Sequence, residues 1–317
     1  MLEVAALVLP LFSLVLIGFV AGRLAGLPVE ALGWLNLFIV YVALPPLFFK
    51  LLSTTPVEEF ANGAYLLATS GTTFTVFVVC VGMALLLGRR LRIATVQGFA
   101  GAYGNIGYLG PPLAIAAFGP AAGVPVALVF CLDNAMHFTF APLLMALGGE
   151  GPRPRLLPMA AGILRKILTH PFILATIAGV AAAFTEFRPP APAQTVIDTL
   201  ADAAAPCALF AMGVTAALRP LKRVPVELSW LIPIKLLAHP LLMYALVSRV
   251  PGIEPVWLHA AVLMAALPSA TNVFVIAQQY GVWEERASSA VVLSTLMSIV
   301  SVTGWIYAMR NGWLLSG

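Results

Sequence analysis

Apolar residues run along this chain in long blocks, with no regular helical or strand spacing of polar positions between them. Ten blocks stand out, at about 4–22, 32–50, 62–88, 93–119, 123–147, 168–187, 194–218, 226–249, 256–281 and 286–309. Each is near the roughly 20 residues that a helix needs to cross the hydrocarbon of a bilayer. A helix that is apolar on every side has no face to offer water, so it belongs in lipid or among other helices. The pattern predicts an all-α integral membrane protein with ten transmembrane helices. The connections between blocks are too short to hold a separate soluble domain. No basic segment or small-residue cleavage site marks the first block as a leader, so it is expected to be a retained helix.

Two blocks carry residues that a helix does not tolerate. The fourth contains YGNIGYLGPPLAIAAFG from Tyr103 to Gly119, with Gly104, Gly107, Gly110, Pro111 and Pro112 close together. The ninth contains Leu267-Pro268-Ser269-Ala270-Thr271-Asn272. Proline cannot donate the backbone hydrogen bond that a helix interior needs, and each glycine weakens the helix further. Freed backbone groups in hydrocarbon cost several kcal/mol, so such breaks survive only where protein or a wet cavity takes them up. Two interrupted spans in two halves of one chain point to the binding site of a secondary transporter. Pro112 and Pro268 are expected to make the breaks.

Composition reinforces the membrane reading. Hydrophobic residues are 61% of the chain and charged residues 9%, with a mean hydropathy of +0.99; a soluble domain carries about 25% charged residues. The net charge of +4 would suit nucleic acid, but the charges are distributed as topology signals. Twelve of the Lys and Arg follow odd-numbered blocks: Arg23; Arg89, Arg90 and Arg92; Arg153, Arg155, Arg165 and Lys166; Arg219, Lys222 and Arg223; and Arg286. Only Lys50, Arg188, Arg249 and Arg310 lie on the other side, and Lys235 falls inside a block. Cytoplasmic loops carry the excess of Lys and Arg. Both termini are therefore expected to be extracytoplasmic. Cys80, Cys131 and Cys207 sit in apolar blocks and read as packing residues, with no disulfide or metal spacing.

The chain also repeats itself. Pro10 is followed eight residues later by Gly18, and Pro171 eight residues later by Gly179. Pro10 to Pro45 and Pro171 to Pro206 are both 35 residues. Phe118-Gly119 closes the fourth block and Tyr280-Gly281 the ninth, so the matches share an offset of 161 or 162 residues. Five spans per half is an odd number, so the second half inserts upside down, the inverted repeat of secondary transporters. The expected domains are 1–147 and 168–317, each a five-helix repeat, joined by a cytoplasmic linker at 148–167. An offset of 162 maps the first break, 104–112, onto 266–274.

ALPSATNVFVIAQQYGV at 266–282, NIGYLGPPL at 105–113 and YVALPPLFFKLL at 41–52 resemble the auxin efflux carrier family, which includes the plant PIN-FORMED carriers. The similarity extends over the whole chain. It implies a fold related to bile-acid and sodium–proton transporters, with spans 1, 2, 6 and 7 as a scaffold. The remaining spans would form a core that moves past it, with broken spans 4 and 9 crossing near the midplane. By resemblance the substrates are small organic anions, auxins in plants and malonate-like carboxylates for bacterial members. The long central hydrophilic loop of many plant members has no counterpart here.

Asn105 and Asn272 sit in the breaks, where amide NH2 groups and half-helix N-termini would supply donors to a carboxylate; each could instead only cap its helix. Tyr108 and Thr271 are adjacent substrate-binding candidates. Asp133 lies about ten residues into the fifth block, where a carboxylate marks an ion or proton pathway or ties two helices together. Asn134 beside it, and His137 one turn on, add polar groups. Lys235 could meet an anion, pair with an acid, or extend to the cytoplasmic interface. Asp198 and Asp202 share a face near the outer end of the seventh block. His170-Pro171 and His239-Pro240 read as helix-start and kink features. Gln278 and Gln279 follow the ninth-block break, and at most one of the two adjacent residues can face a cavity. No nucleophile elbow, HExxH or phosphate loop is present, which points away from an enzyme and from a cofactor.

The residues together predict a plasma-membrane carrier of small organic anions working by elevator-type alternating access. A coupling proton or sodium and a homodimer stay open, and no nucleic-acid partner is expected. The alternatives are a bile-acid-type carrier coupled to sodium or protons, or a channel or receptor on the same fold.

Overall fold

The computed structural model describes residues 2–26, 28–56, 62–149, 156–218 and 224–314. These residues are helical almost throughout. The helices in chain order are α1 (Leu2–Ala25), α2 (Gly33–Leu37), α3 (Leu44–Ser53), α4 (Gly63–Leu86), α5 (Leu91–Ala102), α6 (Gly110–Phe118), α7 (Gly123–Leu147), α8 (Leu156–Leu168), α9 (Pro171–Phe184), α10 (Ala191–Leu218), α11 (Leu228–Pro233), α12 (His239–Val247), α13 (Pro255–Ala266), α14 (Thr271–Gln279) and α15 (Glu284–Arg310). Among the described residues six stretches are long and apolar enough to cross a membrane, and shorter apolar helices lie between them. The chain is an integral membrane protein by that measure. The stretch expected to be a plain linker at 148–167 contains most of α8. Arg153, Arg155, Arg219, Lys222 and Arg223 lie outside the described residues.

Prolines shape the helices locally. Wide turns of π type occupy Phe38–Ala43 and Ile234–Ala238, and each is followed within two residues by a proline, Pro45 and Pro240. A proline ring crowds the carbonyl four residues back and leaves it without its N–H partner, so the turn ahead widens. For Pro240 that carbonyl belongs to Leu236, and the Trp305 indole N–H of α15 donates to it at 2.9 Å. The sequence expectation of a kink at His239-Pro240 is thus realised as a widened turn with a side-chain patch. His170 caps α9, whose first residue is Pro171.

The chain divides into two compact units, and each is described by itself. The first comprises residues 1–63, 107–131 and 168–220. In it α1 lies along α10 with backbone nearly touching backbone. A β-carbon on Gly18 would collide with the Phe210 carbonyl, and one on Gly213 with the Val15 carbonyl. Packing of α3 on α9 repeats the device: a β-carbon on Gly179 would stand 3.1 Å from the Phe49 carbonyl and 2.9 Å from the Leu52 β-carbon. Phe48, Phe130 and Phe172 fill the space beside it, with centroids 4.8–5.7 Å apart. Lys50 bridges Asp198 at 2.8 Å and Asp202 at 3.6 Å. All three are more than a third exposed, so the pair adds little stability.

The second unit comprises residues 64–106, 132–167 and 221–317. Here α5 is buried from Ala94 through Ala102 and α13 over most of its length, as helices apolar on all sides should be. Gly98 and Gly101 of α5 admit Phe77, Val81 and Cys80 of α4. Glu227, at the start of α11, is buried. It accepts from Arg286 at 2.6 Å, Trp283 at 2.9 Å and Gln97 at 3.5 Å, which ties α5, α11 and α15 together.

The close α1–α10 approach makes a measurable prediction. Gly213→Ala should lower stability by about 1–3 kcal/mol, the range for overpacking a closed contact. Gly304→Ala, where the added carbon meets nothing within 4 Å, should leave stability unchanged or raised. Thermal unfolding of the purified variants, followed by tryptophan fluorescence, checks both; equal midpoints for the two would contradict the packing.

Candidate functional site

Both breaks fall in the expected blocks. The first separates α5 from α6 over residues 103–109, and the second separates α13 from α14 over residues 267–270. The first break is three residues longer, so the constant offset expected from the sequence does not hold across it. Pro268 ends α13 by forcing Leu267 into extended backbone, with ψ at 149°. Pro112 lies downstream of its break. It sits in the first turn of α6 with Pro111, where a missing N–H costs nothing.

In the second unit the exposed backbone of the two breaks pairs with itself. Gly104 lies opposite Ser269 in an isolated antiparallel bridge. Asn105 N–H donates to the Pro268 carbonyl at 2.7 Å, and Ala270 N–H donates to the Tyr103 carbonyl at 3.0 Å. Ser269 serves the surroundings: its hydroxyl donates to the Ala100 carbonyl at 2.6 Å, and its N–H donates to the Ser294 hydroxyl at 3.1 Å. Ala100 is in the last turn of α5, whose carbonyls have no acceptor role within the helix. In this way non-helical backbone is satisfied inside an apolar segment, as hydrocarbon demands.

Polar side chains of the second unit collect around this bridge. Asn105 is 6% exposed. The Tyr103 hydroxyl donates to Asn134 Oδ1 at 2.7 Å and also reaches Asn272. The His137 ring lies 4.4 Å from the Tyr103 ring and 4.7 Å from Phe99. Asn272 is exposed and Thr271 half-buried at the start of α14. No side chain caps that helix at Ala270, so its first N–H groups face outward from the helix end. Gln278 and Gln279 are both exposed.

The start of α6, in the first unit, is different. Pro111 and Pro112 remove two of the N–H groups a helix N-terminus would present. Tyr108, expected at the substrate, donates instead to Asn36 Oδ1 at 3.3 Å within that unit. The hydrogen-bond donors expected from two equivalent half-helix starts are thus concentrated at α14.

Asp133 is 4% exposed on α7 in the second unit. It lies in electrostatic range of Lys235 and Tyr65, with the buried Thr73 hydroxyl facing it outside ideal hydrogen-bond geometry. Lys235 does not extend to the interface. It is fully buried, and its Nζ donates to the Ala265 carbonyl at 2.6 Å and lies 3.3 Å from His239 Nδ1. Sequence reasoning missed the roles of Tyr103, Ser269 and His239. Their polarity inside apolar blocks was the available signal; the partners of Tyr103 and Ser269 stand 31 and 169 residues away along the chain, whereas His239 meets Lys235 one turn away. The cysteines are free, and Cys131 Sγ meets the Thr176 hydroxyl at 3.1 Å. No group of three or more metal-ligating side chains occurs among the described residues.

A family model described as "Membrane transport protein" matches residues 4–306. A Rhizobium meliloti protein described as "Putative malonate transporter" is 56% identical over 313 residues, covering 98% of both chains. An "Uncharacterized transporter" of Methanothermobacter thermautotrophicus is 27% identical and covers 94% of this chain and 96% of its own. "Auxin efflux carrier component 2" of Arabidopsis thaliana is 29% identical over 167 residues, 48% of this chain and 26% of the plant protein. With the family match running through nearly every span, the chain belongs to the membrane transport protein family of the auxin efflux carriers.

Proposed function

We propose that this transporter is a secondary active carrier of small carboxylates of malonate-like or auxin-like type, working by elevator-type alternating access. The observation that carries the reading is the hydrogen-bonded bridge between the two helix breaks, with Tyr103, Asn105, Asn134 and Asn272 around it. A carboxylate needs donors more than it needs a fixed cation. The uncapped start of α14 and the amide groups supply them. The near-full-length similarity to a protein described as a malonate transporter agrees with that substrate class.

In this reading the ten spans form two inverted five-helix repeats, 1–147 and 168–317. The glycine contacts support it. Gly18 and Gly179 are 161 residues apart, and so are their carbonyl partners Phe210 and Phe49. Gly119 and Gly281, which close the second half-helices, both have positive φ, 86° and 65°, which glycine adopts without steric cost. Spans 1, 2, 6 and 7 share the first compact unit, as a scaffold would. Asp133 and Asn134 carry the coupling proton or ion. The protein sits in the plasma membrane with both termini outside.

Losing one hydrogen bond to a charged ligand costs roughly 1.5–3 kcal/mol, about a tenfold to hundredfold loss of affinity. Calorimetry with malonate should show that loss for Asn105→Ala, and for Asn272→Ala, with folding retained; unchanged affinity in both would place the substrate elsewhere. Asp133→Asn should abolish gradient-driven uptake while sparing exchange of substrate for substrate in proteoliposomes. Concentrative uptake at the normal rate would assign Asp133 to structure. Saturable counterflow by the unmodified protein separates a carrier from a channel. For orientation, a cysteine at Arg89 in a background lacking the three native cysteines should react with an impermeant reagent only from the cytoplasmic side. Labelling from outside intact cells would reverse the topology.

A further inference from the structure

We propose that Lys235 is a built-in cation that takes the place of a soluble coupling cation beside the broken helix α13, so that transport needs no alkali-metal ion. The proposal rests on the carrier reading above, with a proton as the species that Asp133 and Asn134 couple. Lys235 lies within a membrane-spanning segment and has no exposure. A charge in that position is retained only where the interior compensates it, and it marks an ion pathway. The compensation has the composition of a monovalent-cation site. The Nζ donates at 2.6 Å to the carbonyl of Ala265, one of the last four residues of α13, whose carbonyls carry the negative end of the helix dipole and lack partners in the helix. A β-carbon on Gly104 would lie 3.1 Å from the Met264 carbonyl and 3.3 Å from Lys235 Nζ, so the ammonium lies against the bridge backbone. His239 Nδ1 is 3.3 Å away, and the Asp133 carboxyl lies within electrostatic range.

Half-helix C-terminal carbonyls together with a carboxylate are what transporters use to hold a coupling cation. Here the chain supplies the cation on a four-carbon tether. A tethered ammonium cannot dissociate into the medium, so the site stays filled at any external ion concentration. Two local features aim it. The widened turn at Ile234–Ala238 carries Lys235, and the absence of a side chain at Gly104 lets the bridge close over the ammonium.

The test removes the tether and offers cations from solution. Purified wild-type and Lys235→Ala proteins are unfolded thermally in chloride salts of choline, sodium, ammonium and methylammonium at equal ionic strength. Sodium, ammonium or methylammonium should raise the midpoint of Lys235→Ala above its value in choline, with no such difference in wild type. A variant that responds to none of the cations overturns the proposal. In proteoliposomes the same variant should exchange malonate more slowly in choline by about tenfold or more, the loss expected for one charge-assisted bond, and the cation that stabilises it should restore exchange. Lys235→Met keeps most of the stem and removes the charge, and it replaces the alanine variant if that protein does not fold. It should be less stable than wild type and slow in every salt; wild-type stability and exchange in choline would overturn the proposal. Failure of the carrier reading looks different. Wild type would then exchange no carboxylate in any salt, while the unfolding comparison would still report on the cation.

Discussion

Hydrocarbon offers no hydrogen-bond partners, and the structure depends on meeting that constraint wherever the chain departs from a regular helix. Several of these departures have a dedicated partner. The breaks at 103–109 and 267–270 pair their backbones with each other, and Ser269 attends to both the end of α5 and the side of α15. The carbonyl orphaned by Pro240 takes the Trp305 indole. The end of α13 takes the Lys235 ammonium. Ser269, Trp305 and Lys235 of the second unit thus each answer a particular backbone defect.

That economy separates two kinds of polar residue that look alike in a list. Ser269, Trp305 and Lys235 face backbone, and their loss would first be felt as unmade hydrogen bonds in a dry interior. Asn272 and Thr271 at the start of α14 face outward or lie half-exposed. Asn272 meets the Tyr103 hydroxyl from the start of α14 while staying exposed. Asn105 is buried, unlike these two. Its backbone N–H is committed to Pro268 while its side chain is separately placed, so substitution of the side chain leaves the bridge intact.

Much of this was legible in the sequence because membrane helices are written in composition. Apolar blocks gave the helices, and misplaced Gly and Pro gave the interrupted ones. What could not be read was geometry over long separations. The approach of Gly104 to Ser269 is a pairing of backbone with backbone, which leaves no trace in residue type. The partner of Tyr108 is Asn36, a residue with no distinguishing sequence context. Lys235 was open to three readings because its partner, the Ala265 carbonyl, is backbone and leaves no trace in residue type. The helix at Leu156–Leu168 escaped notice because its apolar run was too short and too mixed to read as a span.

The glycine contacts of the first unit bear on how that unit can deform. Side chains at an interface can change rotamer and let two helices creep past each other. At Gly18 and Gly213 the opposing surfaces are peptide carbonyls, which have no rotamers. A slip of one residue along the axis would bring Phe19 or Val214 to the spot that only a hydrogen atom fits. The α1–α10 contact is thus a register lock, and it resists shear far more than it resists translation of the pair as one piece. Deformation of this unit therefore has to fall at its other surfaces, where side chains can yield.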